Sequence, residues 1–482
     1  MSAFMGVCLL PRLTACRNGN SSGSSLASSP DPAGQPPAHP TAVNADVRAE
    51  VSFTSIPTAT RLDSRFAGLS YEKTKLAVPM FTATNTPLIR HFDLLGPSVL
   101  RIGANAVDRS SWNGAVDDLT PILPSQIDSL ADFVQATQWQ VIYGVNLARN
   151  TPARAAEEAA YVASRLGPSL LAWEIGNEPD LYRRHGYRPE DWGYDDFLDE
   201  WLEFHEAMSE ASPGVAFGGP GTSFDLERNT LLFAADAREH LALLTHHYYR
   251  ASRDDPDSTL TLLLESDPAL ADELESLVEA ASVATLPMGV RLTEANSFFG
   301  GGLPGASDAY GSALWVIDFM FTCALAGCTG VNMHGGDRGS YTPIADVDGV
   351  VVEPRAIFYG MVMFANAAHG LPLEGAIASD DDIDLSAWGV QRDDGGLNAV
   401  LINKDDARSV GVRLASGISA DRFEPLWLEG EGLSTISGFT LGDVPIGDDG
   451  TWMPQPRPLV PNSSGLLDVL LPPSTAVLVR SQ

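Results

Sequence analysis

Two glutamates in this 482-residue sequence have neighbours that suit cleavage of a glycosidic bond. Glu178 stands in Asn177-Glu178-Pro179, at the end of an apolar run over residues 170–178, and Glu294 lies in a second such run. The reaction requires one carboxyl group that protonates the leaving oxygen and another that is ionised near the anomeric carbon. We interpret Glu178 as the general acid/base. An amide beside the acid can hydrogen-bond the sugar 2-hydroxyl, which is the role predicted for Asn177.

Glu174 competes with Glu294 for the second carboxylate. It lies four residues before Glu178 on the same predicted strand, so both side chains point to one face, about 13 Å apart by the rise of a strand. That depth prevents Glu174 from sharing a substrate atom with Glu178. Glu294 ends a strand that faces Glu178 across the mouth of a barrel, where we expect a carboxyl separation of about 5–5.5 Å, typical of a double displacement with retention.

Short β-rich runs alternate with helical patterns between residues 61 and 369, which predicts a (β/α)8 TIM barrel. The predicted strands are 66–73, 98–105, 140–147, 170–178, 215–221, 241–249, 288–296 and 330–336. Helices are predicted at 86–95, 125–137, 153–166, 194–211, 269–283 and 307–326, and the fifth crossover, near 226–239, is the weakest. Polar residues collect at the carboxyl ends of these strands, where barrel active sites lie.

The remaining segments predict three further regions. Residues 370–482 change to short alternating runs broken by Gly, Asp and Pro, which predicts a β-sandwich, and residues 44–60 are expected to add an N-terminal strand to it. Residues 1–43 are interpreted as a leader and flexible tether. The tetrapeptide that ends at Cys16 resembles a bacterial lipobox, so we expect export, with a possible lipid anchor at Cys16.

Composition restricts the partners. The chain has 62 acidic and 30 basic residues, a formal net charge of −32, so nucleic acid is an unsuitable partner. No run is long and apolar enough to predict a transmembrane segment. No metal cluster, phosphate loop or dinucleotide motif is evident, so neither cofactor nor metal is expected. Cys323 and Cys328 lie in an apolar run and are expected to be buried thiols.

Several motifs together resemble the bacterial β-glucuronidases of the heparanase family. They are residues 68–73, 173–180, 245–249 and 291–302, followed by 331–336 and Tyr341, and the similarity covers about residues 60–370. The resemblance implies a retaining hydrolase on a barrel with an adjoining β-sandwich, with Glu178 as acid/base and Glu294 as nucleophile. It also implies that Gly300 and Gly301 donate backbone N–H groups to a uronate carboxylate and that Tyr341 adds its hydroxyl.

Further pocket residues are expected at the strand ends. Alternate residues of a strand point inward, so only one of two pairs, His246 and Tyr248 or His247 and Tyr249, can enter the pocket. The His-x-Tyr pattern of such enzymes favours His246 and Tyr248. The Tyr248 hydroxyl is then expected to contact the nucleophile. Asn105 and residues 70–72 are expected to line the sugar pocket. Phe299 stands where the resemblance leads us to expect a tyrosine, which removes one donor to the carboxylate and leaves a modified uronate, such as a 4-O-methylated one, or another sugar open.

The leading hypothesis is a retaining, exo-acting β-glucuronidase whose substrate carries a terminal uronic acid. Within enzymes, the alternatives are an endo-acting heparanase-like hydrolase and a β-glycosidase of another sugar. The scarcity of basic residues disfavours the heparanase-like alternative, because polysulfated chains need cations beside the cleft. A non-catalytic carbohydrate-binding barrel is the non-enzymatic alternative, and the presence of both Glu178 and Glu294 argues against it.

Overall fold

A computed structural model describes residues 44–482 except 57–59, 415–421, 456–457 and 463–465. The predicted leader, tether and lipid anchor at Cys16 therefore lie outside the described residues. In the described part of the chain, no helix has the length and apolar character needed to cross a bilayer. Cys323 and Cys328 are buried and unpaired, as expected.

Along the chain, one strand of a nine-stranded sheet precedes the eight barrel strands and the other eight sheet strands follow them. The strands are β1 (Val47–Ser55), β2 (Ala67–Glu72), β3 (Val99–Gly103), β4 (Ser110–Trp112), β5 (Thr120–Ile122), β6 (Gln140–Val145), β7 (Leu170–Ile175), β8 (Ala216–Thr222), β9 (Leu243–Ser252), β10 (Val290–Phe299), β11 (Gly330–Gly335), β12 (Ile344–Val347), β13 (Val350–Pro354), β14 (Leu371–Ser379), β15 (Leu385–Gln391), β16 (Leu397–Asn403), β17 (Val410–Leu414), β18 (Phe423–Glu429), β19 (Thr440–Leu441), β20 (Leu467–Leu471) and β21 (Thr475–Ser481).

The helices that connect them are α1 (Thr86–Leu95), α2 (Pro124–Thr137), α3 (Pro152–Leu166), α4 (Tyr194–Ala211), α5 (Leu232–Asp236), α6 (Leu260–Leu264), α7 (Pro268–Val283), α8 (Gly311–Ala326) and α9 (Ala356–Ala367). Proline occupies the first turn of α2, α3 and α7, where the missing N–H has no intrahelical partner to lose. The Thr151 hydroxyl caps α3 by accepting from the Arg154 N–H.

Eight parallel strands close into a barrel in the order β10-β11-β2-β3-β6-β7-β8-β9, which confirms the predicted fold class. A separate nine-stranded sheet has the order β19-β18-β21-β16-β15-β14-β1-β17-β20. The N-terminal strand β1 pairs antiparallel with β14 and parallel with β17, so the chain builds this sheet from both of its ends, as expected. Most residues of α8 and α9 are buried, because these helices pack against each other as well as against the barrel and the sheet.

The observed barrel strands begin and end within a few residues of the predicted ones. The fifth crossover is the irregular one, since its α-helix, α5, has only five residues. The hairpin of β12 and β13, which follows the eighth barrel strand, was not predicted. Because the eight strands are parallel, the polar residues at their carboxyl ends lie at one mouth of the barrel.

Candidate active site

A cavity of about 380 Å³ opens at the carboxyl ends of the barrel strands. Its lining consists of acidic, imidazole, aromatic and glycine residues: Glu72, Asn105, Glu178, Leu181, Arg184, His185, Ser223, Phe224, His247, Tyr249, Glu294, Phe299, Gly300, Gly301, His334 and Tyr341. Both predicted carboxylates are among them, whereas Glu174 is not. Glu174 is fully buried and accepts hydrogen bonds from Arg101 Nε (2.6 Å) and from the Thr293 hydroxyl (2.9 Å).

Glu178 is placed by an unusual turn after β7. Its φ of +48° lies in the left-handed region, which is uncommon for a residue with a side chain and is found where function constrains the backbone. The Glu178 N–H donates to the Gly221 carbonyl at 2.9 Å, which ties the turn to the end of β8. Nδ1 of His247 lies 3.0 Å from Glu178 Oε1, so the imidazole and the carboxyl group share a hydrogen bond.

Glu294 lies on β10, and two hydrogen-bond donors bind its carboxylate. Arg101 Nη1 donates to Oε2 at 2.7 Å and the Tyr249 hydroxyl donates to Oε1 at 2.8 Å. The register between β10 and β9 shifts between Leu292 and Glu294, which places Glu294 opposite His247. The neighbouring strand therefore supplies both the tyrosine that binds Glu294 and the histidine beside Glu178.

Arg101 is the central residue that the sequence analysis missed. Its buried guanidinium contacts Glu174, Glu294 and the Asn177 side-chain oxygen, the last at 2.9 Å from Nη2. A lone arginine within the apolar strand Val99–Gly103 was the available signal, because a buried charge requires partners. Gly103 leaves room for it, since a Cβ there would lie 2.6 Å from Arg101 Cζ.

The electrostatics favour an ionised Glu294. Burial alone would raise the pKa of Glu294, but the neighbouring His334 and His247, the Arg101 charge and the Tyr249 hydroxyl together lower it below its ordinary value. Burial, followed by the Glu294 charge, raises the pKa of Tyr249 well above 10, so the phenol stays neutral and acts as a donor. Burial also raises the pKa of Glu72, which accepts from the Ala106 N–H at 2.6 Å.

The prediction for His246 and Tyr248 is wrong. The inward-facing pair is His247 and Tyr249, whereas His246 Nδ1 lies 3.0 Å from the Thr230 hydroxyl oxygen and the Tyr248 hydroxyl donates to Asp267 at 2.8 Å. The Tyr248 ring stacks on Phe319 of α8, with ring centroids 5.2 Å apart. The outer face of a barrel strand packs against the helices, so these contacts set the phase of β9, and the His-x-Tyr pattern is satisfied one residue later.

We expect Tyr249→Phe to lower kcat, while Tyr248→Phe leaves kcat within about 2-fold. A hydrogen bond to a charged group contributes roughly 1.5–3 kcal/mol, so the loss at Tyr249 should be about 10- to 100-fold. Tyr248→Phe is the matched control, because it removes the same atom from a hydroxyl that binds Asp267 outside the cavity. Steady-state kinetics on an aryl β-glycoside would test this, and a larger loss from Tyr248→Phe would contradict the placement of the two rings.

The other predicted residues lie at or beside the cavity. Asn105, Phe299, Gly300, Gly301 and Tyr341 line it, whereas Asn177 is buried and does not. Arginine is donor-only, so its bond to Asn177 Oδ1 fixes the orientation of that amide, and the Asn177 NH2 group has no protein partner. Phe299 is 41% exposed and meets the Tyr249 ring edge-on, with centroids 6.2 Å apart.

Asn296 connects β10 to the loop that carries Tyr341. Its side-chain NH2 donates to the carbonyls of His334 (2.7 Å) and Tyr341 (3.0 Å). The Tyr341 N–H faces the Gly301 carbonyl at 3.5 Å. Tyr341 is therefore fixed relative to both Glu294 and the glycines.

One group of side chains at the site has the composition of a metal-binding cluster. Glu178, His247 and Glu294 each present one ligand atom, and these three atoms lie within 4.8 Å of one another. Within this group His247 contacts Glu178, and from outside it Arg101 and Tyr249 donate to Glu294. These hydrogen bonds hold the two carboxyl groups close to each other.

Comparison with known proteins gives both sequence and fold relatives. The chain is 29% identical over 255 residues to a β-glucuronidase of Aspergillus niger, covering 48% of this chain and 47% of that protein. It is also 29% identical over 226 residues to a β-glucuronidase of Neurospora crassa, covering 42% of this chain and 40% of that one. The aligned part thus spans less than half the length of these relatives. No protein-family profile matches the chain.

Solved structures extend the similarity across most of the chain. A 4-O-α-L-rhamnosyl-β-D-glucuronidase from Fusarium oxysporum superposes with a TM-score of 0.73 at 19% identity, covering 89% of this chain and 99% of that one. A family 51 arabinofuranosidase from Xanthomonas axonopodis has a TM-score of 0.65 at 14% identity, covering 91% of this chain and all of that one. At these identities the similarity establishes the fold, a barrel with an adjoining β-sheet domain that glycoside hydrolases use.

Proposed function

We propose that this protein is a retaining, exo-acting β-glucuronidase that uses Glu178 as general acid/base and Glu294 as nucleophile. The observation that carries the proposal is the carboxylate pair: one oxygen of Glu178 and one of Glu294 lie within 4.8 Å of each other across the barrel mouth. In retaining glycosidases the two carboxyl groups are about 5–5.5 Å apart, whereas inverting enzymes need about 6.5–9.5 Å to admit a water between them.

The two carboxyl groups have different surroundings, which suits different roles. Glu294 is bound by Arg101 and Tyr249 and has a lowered pKa, so it is ionised and can attack the anomeric carbon. Glu178 contacts an imidazole and lies at the cavity, where it can protonate the leaving oxygen. In the second step Glu178 takes a proton from water, and that water cleaves the glycosyl ester on Glu294.

Asn177 supports the same reaction from below the cavity. Its NH2 group is buried without a protein partner, beside the residue that protonates the leaving group. A buried unpartnered donor is costly, which supports a ligand as its acceptor. We assign it to the sugar 2-hydroxyl, a contact that strengthens in the transition state.

A uronate as the substrate sugar is supported by the names of the two fungal relatives and by the glycine loop after Glu294. Gly300 and Gly301 line the cavity with φ values of +91° and +97°, so their backbone approaches the ligand space without Cβ atoms. The Tyr341 hydroxyl is a further donor, because burial and then the Glu294 charge raise its pKa. The cavity, at the small end of the range for ligand pockets, supports exo action on a terminal sugar.

Substitutions at Tyr341 and Phe299 test whether this loop binds a carboxylate. Tyr341→Phe should lower kcat/KM on an aryl β-glucuronide by about 10-fold or more, because it removes a donor to a charged acceptor. The matching β-glucoside lacks the carboxylate and should be affected much less. Phe299→Tyr restores a hydroxyl at the cavity and should change the glucuronide-to-glucoside ratio in the opposite direction. A ratio unchanged by both substitutions would favour a β-glycosidase of another sugar.

A second candidate function is endo-acting, heparanase-like hydrolysis, in which the leaving group is acidic. Basic side chains at the rim of the cavity favour it. Exposed Arg184 and His185 lie there, on the loop that directly follows Glu178. The three lysines, by contrast, are all used in ion pairs within the fold: Lys73 with Glu158, Lys75 with Asp337 and Asp346, and Lys404 with Asp318 and Asp384. If the leaving group is acidic, Arg184→Ala should weaken hydrolysis of a glucuronide with a carboxylated aglycone and spare one with a neutral aglycone.

Membership of the heparanase family and export are proposed on the sequence motifs alone. The non-catalytic carbohydrate-binding alternative is disfavoured because Glu294 accepts hydrogen bonds from Arg101 and Tyr249, which suit a nucleophile. Turnover of any β-glycoside by the purified protein would exclude that alternative.

A further inference from the structure

The glycine loop after β10 is held from behind by one arginine. The Arg253 backbone N–H donates to the Phe299 carbonyl at 3.1 Å, and Arg253 Nη1 donates to the Gly300 carbonyl at 2.9 Å. The aliphatic part of the same side chain packs on the loop, since a Cβ at Gly300 would lie 2.8 Å from Arg253 Cδ. Two consecutive peptide carbonyls are thus turned toward a single residue.

Peptide planarity fixes where the corresponding N–H groups point. In a trans peptide the N–H is antiparallel to the C=O of the same unit, and both peptide units here are trans. Because the carbonyls of Phe299 and Gly300 face Arg253, the N–H groups of Gly300 and Gly301 face the opposite side of the loop. Gly300 and Gly301 line the cavity and Arg253 does not, so that opposite side is the cavity.

We propose that Arg253 is a positioning residue that determines specificity for the anionic sugar. It acts through the glycine backbone, without touching the substrate. Its guanidinium binds the Gly300 carbonyl and so orients the Gly301 N–H into the cavity, whereas its backbone N–H binds the Phe299 carbonyl and orients the Gly300 N–H. A cation bound to the Gly300 carbonyl also polarises that peptide unit, which strengthens the Gly301 N–H as a donor to a carboxylate. This inference rests on the proposed function, in which the cavity receives a uronate.

The charges around the cavity explain why a further cation would help to bind an anionic sugar. Three carboxyl groups line the cavity, at Glu72, Glu178 and Glu294, and the ionised Glu294 among them opposes the entry of an anion. The Arg101 charge beneath them is already bound to Glu174 and Glu294. Arg253 adds a positive charge behind the loop, and its own carboxylate contact, with Asp254, is long at 3.6 Å.

The test compares Arg253→Met and Arg253→Lys with the parent on an aryl β-glucuronide and the matching β-glucoside. Arg253→Met should lower the glucuronide-to-glucoside ratio of kcat/KM by about 10-fold, mostly through KM for the glucuronide. Arg253→Lys keeps a charge and a donor and should recover part of the ratio. Arg413→Met is the control, because it removes one cation from an ion pair with Asp468 in the β-sheet domain.

The outcomes separate this inference from the proposed function. A parent that prefers the glucuronide, combined with an unchanged ratio in Arg253→Met, would overturn the role of Arg253 and leave the proposed function standing. Equal losses on both substrates would likewise overturn it, since they would indicate a merely structural residue. A parent with no preference for the glucuronide would overturn the proposed function and this inference together.

Discussion

Replacement of Glu294 by alanine is expected to lower kcat/KM on every β-glycoside that the protein hydrolyses, by about 10,000-fold or more. The other carboxyl groups at the site are poor replacements. Glu174 is fully buried beneath the cavity, and Glu178 is assigned to protonation of the leaving group. Glu72 is bound to the Ala106 N–H and has a raised pKa. Activated leaving groups should not restore turnover, because the missing group is the nucleophile.

Azide should rescue Glu294→Ala by occupying the space that the carboxylate leaves. It would attack from the face opposite the leaving group, and the product should be the α-glycosyl azide. Thermal unfolding of the variant should show that it folds, since Arg101 keeps its bonds to Glu174 and Asn177. Formation of the β-azide instead would show that the roles of the two glutamates are exchanged.

Replacement of Glu178 by alanine is expected to have an effect that depends on the leaving group. General acid catalysis contributes about 100- to 10,000-fold, and a substrate such as a dinitrophenyl glycoside needs little of it because the phenolate leaves without a proton. The rate of the first step should therefore change little on activated substrates and fall strongly on alkyl glycosides. Azide should then yield the β-glycosyl azide.

The control for Glu178→Ala is Glu190→Ala. Glu190 is exposed, follows Glu178 in the same connection and does not line the cavity. It should behave as the parent on both classes of substrate. A loss in Glu178→Ala that is equal for activated and unactivated leaving groups would argue that Glu178 shapes the cavity without transferring a proton.

The barrel was predictable because each of its strands is an apolar run bounded by turn residues. The runs around Glu178 and Glu294 also fixed which strand ends face each other across the mouth. Burial on both faces of a parallel strand makes its residues uniformly apolar, however, and removes the alternation that would reveal which side chains point inward. For that reason the direction of His246 and Tyr248 could not be derived from the strand itself.

The contacts that tune the site depend on tertiary packing. Arg101 binds Glu174 and Glu294, 73 and 193 residues away in the sequence, and no local spacing records such a pairing. The direction of the Gly300 carbonyl likewise depends on Arg253, 47 residues earlier. The sequence indicates that glycines are needed there, but the donor that turns their peptide planes becomes visible only in the folded chain.

The central claim is a double displacement on a β-glucuronide by Glu178 and Glu294. Proton NMR of the reaction mixture, recorded before mutarotation, identifies the anomer of glucuronic acid that is released first. The β anomer should appear first, because two inversions at the anomeric carbon restore its configuration. Release of the α anomer first would contradict the nucleophilic role of Glu294, and absence of any glucuronic acid would contradict the assigned substrate.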